Sequence, residues 1–201
     1  MHSAAVFLDK DGTLLDDVPY NVDPARMRFA PGAREALALL ATQPFALIVI
    51  SNQPGVALGQ FAPEALDTVA AHLRTMFADC GAVLADVYWC PHHPRGQVAP
   101  YALACACRKP APGMLQRAVR DHALDPGRSW FVGDILDDVE AGNRAGCRTL
   151  LIDNGNETEW KRGPFREPAG RASNLHAAAR RIVAAREAAD RTAPHPMEAP
   201  R

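Results

Sequence analysis

The chain reads as an α/β domain with a mainly parallel sheet covered by helices, and three observations predict it. Short apolar runs alternate with segments of helical periodicity, the order expected of strand–helix–strand units. Those runs are apolar at consecutive positions, as strands buried on both faces are. Polar residues then collect where three of the runs stop, and in open sheets of this class ligands lie beyond the carboxyl ends of the strands.

Ala4–Leu8 is the first run and ends at Asp9. Pro31 opens a helix over Gly32–Ala41, since proline suits the first helical turn. Phe45–Ile50 is the second run and is bounded by Ser51-Asn52. Pro63–Cys80 carries Leu66, Val69, Ala70, Leu73 and Phe77 at helical spacing. Val87–Trp89 is a shorter run that leads into Cys90. A helix over Pro112–Ala123 precedes the run Trp130–Val132, which ends at Gly133-Asp134. Asp137–Ala145 is the next helix, with Gly146 as its C-cap. Thr149–Ile152 is the last run, Gly155–Arg171 reads as irregular, and a final helix covers Leu175–Asp190. Arg191–Arg201 holds three prolines and few apolar residues, so disorder is expected there. Residues 1–190 therefore form one domain.

The chain has 201 residues, of which 48% are hydrophobic, enough for one core. A formal net charge of -1 gives no basic excess for nucleic acid. No apolar stretch is long enough to cross a bilayer, and Met1–Ala5 lacks the regions of a signal peptide. A cytoplasmic monomer is expected. Cys80 and Cys147 stand singly in apolar segments and read as core residues.

The chemistry starts at Asp9-Lys10-Asp11-Gly12-Thr13. In extended chain, Asp9 and Asp11 point to the same side. Two close carboxylates repel unless a cation or proton intervenes, and Mg²⁺ prefers such oxygen ligands. Ser51-Asn52 offers a hydroxyl and backbone N–H groups to phosphate oxygens. Lys109 supplies a compact cation. Asp134 can complete a metal site with Asp9, and Asp138 follows within about one helical turn.

The order Asp9-x-Asp11-Gly-Thr, Ser51-Asn52, Lys109-Pro110, Gly133-Asp134-x-x-x-Asp138 resembles the haloacid dehalogenase superfamily over about residues 4–155. The resemblance implies that Asp9 is a nucleophile and Asp11 a general acid and base. It implies that Ser51 and Lys109 hold the transferring phosphoryl group. Asp9, the Asp11 carbonyl and Asp134 would bind Mg²⁺. The implied fold is a three-layer, Rossmann-like sandwich, and only Leu14–Pro44 separates the first motif from the second strand, which leaves no room for a large cap domain.

Cys90-Pro91-His92-His93 and Cys105-Ala106-Cys107 form a second cluster. Three thiols and one imidazole suit a closed, structural Zn²⁺ site, and His92 fits better than His93 because Cys-x-His mirrors Cys-x-Cys. Such a metal would hold the loop 90–107, which is rich in proline, and so place Lys109. The loop and the run Cys107-Arg108-Lys109-Pro110 resemble the heptose bisphosphate phosphatases and, more distantly, the histidinol-phosphate phosphatases. Twelve residues, His93–Ala104, separate His92 from Cys105, and this length resembles the heptose type. Ile135 departs from that pattern, which often has a lysine there.

The resemblance implies a small phosphorylated sugar as substrate and a cytoplasmic place in lipopolysaccharide precursor biosynthesis. Asp17, Tyr20 and Asn21 after the first motif, Asn52 and Gln53, and Arg108 are candidate substrate contacts. Arg108 can hold an uncleaved phosphate through paired hydrogen bonds. The alternatives are another small-molecule phosphatase, such as one for histidinol phosphate, and a zinc-stabilised binding module without catalysis.

Overall fold

The computed structural model describes residues 3–192. Its strands are β1 (Ala5–Leu8), β2 (Ala46–Asn52), β3 (Leu84–Cys90), β4 (Trp130–Gly133), β5 (Arg148–Ile152) and β6 (Gly170–Ala172). The α-helices are α1 (Ala33–Ala41), α2 (Ala65–Ala78), α3 (Gly113–Asp121), α4 (Leu136–Arg144) and α5 (Leu175–Thr192), with short 3-10 turns at Pro24–Arg26 and Pro126–Arg128. All six strands pair in parallel in the order β3-β2-β1-β4-β5-β6. This is the doubly wound order, and it reverses direction between β1 and β4.

Consecutive apolar residues in β1 serve two cores. Val6 and Leu8 pack with α1, α2 and α5, while Ala5 and Phe7 pack with α3 and Ala141 of α4 on the other face. A strand covered on both faces needs apolar side chains at even and odd positions alike, which is the pattern read from the sequence. Truncating fully buried Phe7 to Ala would cost about 3–5 kcal/mol.

The strand register positions the site. Leu8 pairs with Val49 of β2 and Val132 of β4, and the Asp9 N–H donates to Val132 O at 2.9 Å. The chain therefore leaves β1 between Ser51 on one side and Asp134 on the other. β2 runs two residues beyond its apolar core because Ser51 and Asn52 continue the ladder with Trp89 and Cys90. β3 is longer than its apolar run because it is an edge strand, with Ala85 exposed and Asp86 and Val87 half-buried.

Two expectations need correction. The segment Gly155–Arg171 is not irregular throughout, since Gly170–Ala172 forms β6 beside β5, Leu150 pairing with Gly170. Three residues with little apolar content carry no strand pattern, and only the neighbouring strand defines them. Arg191 and Thr192 extend α5, and the rest of the expected tail lies outside the described residues. Among the described residues, no helix is long and apolar enough to cross a membrane.

Candidate active site

Asp9, Asp134 and Asp138 bring carboxylate oxygens within 4.8 Å of one another at the β1/β4 crevice, and all three residues are buried. Lys109 enters from the opposite loop. Its ammonium donates to Asp9 Oδ1, lies 2.7 Å from Asp138 Oδ1, and donates to Ile50 O at 3.2 Å. Burial opposes the lysine charge, but Asp138 and Asp9 outweigh it and hold its pKa above the usual lysine value. Three carboxylates against one ammonium leave two surplus negative charges. Burial, then the charges of Asp9 and Asp138, push Asp134 up to about 8. Burial likewise raises Asp138 to about 6, against the pull of Lys109. A divalent cation offsets such a surplus, so the residues fit Mg²⁺.

Asp11 lies on the other side of the turn. Lys10 Nζ sits 2.5 Å from its Oδ1, and Gln53 Nε2 donates to its Oδ2 at 3.2 Å. Burial raises the Asp11 pKa, with Lys10 pulling the other way. Gln53 also donates to Ser51 Oγ at 2.9 Å. Asn52 spends its side-chain amide on the backbone of Lys109, donating to its carbonyl at 3.2 Å and accepting from its N–H at 3.0 Å. Asn52 and Gln53 thus hold other site residues with the polar atoms expected to meet substrate.

Two glycines let these loops meet. Gly12 has φ +82°, and a Cβ there would stand 2.1 Å from Asp134 Oδ2. A Cβ on Gly133 would stand 2.3 Å from Asp138 Oδ2.

Asp9, Asp11, Asp17, Ser51, Asn52, Lys109, Asp134, Ile135 and Asn156 line one cleft of about 200 Å³. A larger cleft, about 260 Å³, lies between Phe45, Trp130 and Arg148 near the strands' opposite ends and has none of the converging carboxylates. Of the other candidate contacts, Tyr20 is exposed and outside the cleft lining. Asn21 is buried, and its Oδ1 accepts the N–H of Asp23 in a local turn. Arg108 is half-buried, with a buried Nη1 that has no hydrogen-bond partner among the described residues.

Cys90 Sγ lies 3.5 Å from Cys105 Sγ and 3.2 Å from Cys107 Sγ, and the Cys105 and Cys107 sulfurs are 3.1 Å apart. His92 Nδ1 lies 3.3 Å from Cys107 Sγ and 3.8 Å from Cys90 Sγ. A tetrahedron with Zn–S bonds of about 2.3 Å has edges of about 3.8 Å, close to these separations. His93 turns away, its Nδ1 accepting the N–H of Arg95 at 3.1 Å.

Four residues escaped the sequence reading. Thr13 Oγ1 donates to Asp134 Oδ1 at 3.1 Å, and Asn156 Nδ2 donates to Oδ2 of the same carboxylate at 2.7 Å. Asn154 Nδ2 donates to Gly12 O at 2.8 Å, and Glu157 Oε2 accepts the N–H of Leu136 at 2.7 Å. Thr13 stood inside a motif that was read for its acids. The other three lie in a loop without a periodic pattern.

The chain is similar to known proteins in sequence and in fold. Residues 106–178 match the family described as HAD-hydrolase-like. A D-glycero-beta-D-manno-heptose-1,7-bisphosphate 7-phosphatase of Haemophilus ducreyi is 38% identical over 153 residues, covering 76% of this chain and 84% of the relative. The Escherichia coli K12 protein of the same name is 38% identical over 149 residues, covering 74% of this chain and 78% of its own. The chain belongs to this family of HAD-like phosphatases. It is a phosphoric monoester hydrolase. The solved D,D-heptose 1,7-bisphosphate phosphatase of B. bronchiseptica, complexed with magnesium and phosphate, superposes with a TM-score of 0.71 at 28% identity, covering 90% of this chain and 99% of that one. The family shares the α/β architecture expected from the sequence.

Proposed function

We propose that the chain hydrolyses a sugar phosphate through an aspartyl-phosphate on Asp9, with D-glycero-D-manno-heptose 1,7-bisphosphate as substrate and the 1-phosphate as product. The observation that carries this reading is the convergence of Asp9, Asp11, Lys109 and Asp134 on one cleft, in a chain similar to heptose bisphosphate phosphatases.

An Asp9 oxygen attacks phosphorus, and the bond from phosphorus to the sugar oxygen breaks. Asp11 gives its proton to the departing oxygen, a role suited to a half-buried carboxyl with a raised pKa. It then takes a proton from water, whose oxygen attacks the phospho-aspartate, releasing phosphate and restoring Asp9. Lys109 and the Ser51 hydroxyl hold the transferring oxygens. Asp138 orients Lys109 through its ion pair, and Asn52 fixes its backbone. Asp9, the Asp11 carbonyl and Asp134 would hold Mg²⁺, which supplies positive charge where negative charge builds up on the phosphoryl group. Cys90, His92, Cys105 and Cys107 would hold Zn²⁺, which ties the loop that ends at Arg108-Lys109. Every group needed lies on one chain, so a monomer suffices, and the reduced thiols suit the cytoplasm.

Arg108 lies beside Lys109 but outside the cleft lining, and its buried Nη1, without a hydrogen-bond partner among the described residues, would have to turn toward the cleft to hold the phosphate that stays on the sugar. One observation favours a second reading. Ile135 lines the cleft where a lysine would hold a second phosphate, which suits a monophosphate such as histidinol phosphate. Initial rates with Mg²⁺ on the heptose bisphosphate, a heptose monophosphate and histidinol phosphate decide between them. The bisphosphate should lead in kcat/KM, and Arg108→Ala should raise its KM about tenfold, or roughly 1.4 kcal/mol. Equal or faster turnover of histidinol phosphate would move the function to the second reading.

A further inference from the structure

The loop after β5 grips both catalytic turns. Within four residues it sends Asn154 to Gly12 O, Asn156 to Asp134 Oδ2 and Glu157 to the Leu136 N–H. Gly12 belongs to the turn that carries Asp9 and Asp11. Asp134 and Leu136 belong to the turn that opens α4. These turns come from strands that are neighbours in the sheet but far apart in sequence, and the Asp9 N–H to Val132 O bond ties them at the strand ends. Beyond that point they depend on side chains.

Asp134 is the acid whose direction matters most. Thr13 takes Oδ1 and Asn156 takes Oδ2, so each oxygen has its own donor and the pair sets the carboxylate's rotation. A carboxylate has about four acceptor positions, so two donors leave room for a cation. The Asn156 amide is neutral, so it orients the acid without adding to the buried negative charge. A Cβ on Gly12 would lie 2.5 Å from Asn156 Nδ2, so the absence of a side chain there lets the amide reach Asp134.

We propose that Asn156 is a positioning residue for catalysis: its amide fixes the orientation of Asp134 for the divalent cation, and Asn154 and Glu157 anchor the loop that delivers it. The proposal rests on the Mg²⁺-dependent reading above. Outer contacts of this kind typically change metal affinity by about 10–100-fold when lost.

The test is Mg²⁺ titration by calorimetry on the full chain, without substrate, for the wild type, Asn156→Ala and Lys161→Ala. Lys161 lies on the same loop and pairs with Glu159, away from Asp134. Asn156→Ala should weaken Mg²⁺ binding about tenfold or more. Its melting temperature in EDTA should stay within about 4 °C of the wild type, because one surface-edge hydrogen bond contributes only about 1 kcal/mol. Turnover at limiting Mg²⁺ should fall and should recover at saturating Mg²⁺. Lys161→Ala should bind Mg²⁺ as the wild type does. Wild-type Mg²⁺ affinity in Asn156→Ala, or the same loss of affinity in Lys161→Ala, overturns the proposal. If the wild type itself turns over fully in EDTA, the Mg²⁺ reading fails first, and that outcome is distinguishable from the others.

Discussion

Lys109→Met removes the ammonium that faces Asp9 and Asp138 and keeps an apolar stem of similar length over Phe131, where Lys109 Nζ now lies 5.5 Å from the ring centre. The side chains of Lys109 and Asp138 are only 4% and 1% exposed, so solvent cannot replace the lost partner. Removing one member of a buried ion pair costs about 3–5 kcal/mol. For a chain of this size each kcal/mol lowers Tm by about 2–4 °C, so the variant should melt roughly 6–20 °C below the wild type. The loss should depend on pH. A carboxyl whose folded pKa is raised supports the fold below its unfolded value and stops doing so as pH rises through the folded value. For Asp138 that window runs from 3.8 to about 6, and for Asp134 from 3.8 to about 8. Without the lysine, Asp138 loses the charge that pulls its pKa down, and its window moves up. The Tm gap in EDTA should therefore be larger at about pH 8 than at about pH 5, where protonation relieves the repulsion. Saturating Mg²⁺ should narrow the gap without restoring turnover. A circular-dichroism melt showing less than about 2 °C between the two proteins at about pH 8 would refute the charge balance drawn for this site.

Asp9→Asn should abolish turnover of any phosphate ester while the protein stays folded, since the amide keeps the shape but is a poor nucleophile; a purified variant with near-wild-type rates would sink the phospho-aspartate reading. Cys105→Ser should lower bound zinc from about one per chain, and reduce Tm and activity together, as measured by metal analysis and melting. Unchanged zinc and Tm would show that the four donors do not share a metal.

The positions of the acids were legible in the sequence because each stands directly after a buried apolar run. Strand burial on both faces forces that run to be apolar at every position, so its end is a visible boundary. Asp9, Ser51 and Asp134 follow from this, and parallel pairing brings their ends to one edge. Local spacing likewise carries the Cys90-x-His92 and Cys105-x-Cys107 pairs, because ligands two residues apart need no information from elsewhere.

The roles that Asn52 and Gln53 play depended on direction and not on position. An amide at a strand end can face a ligand or the chain, and only the packed loops turn Asn52 onto Lys109 and Gln53 onto Asp11 and Ser51. Asn154, Asn156 and Glu157 carry no pattern, since they act through contacts with residues 21 to 142 positions away. β6 exists because β5 offers a free edge, not because Gly170–Ala172 prefers to be extended. The sequence by itself determined which residues are apolar, acidic or thiol-bearing at each strand end, and therefore the fold class and the chemistry. The tertiary structure decided which polar groups pair with one another, because hydrogen bonds are short and directional, and their partners become neighbours only when the sheet has assembled.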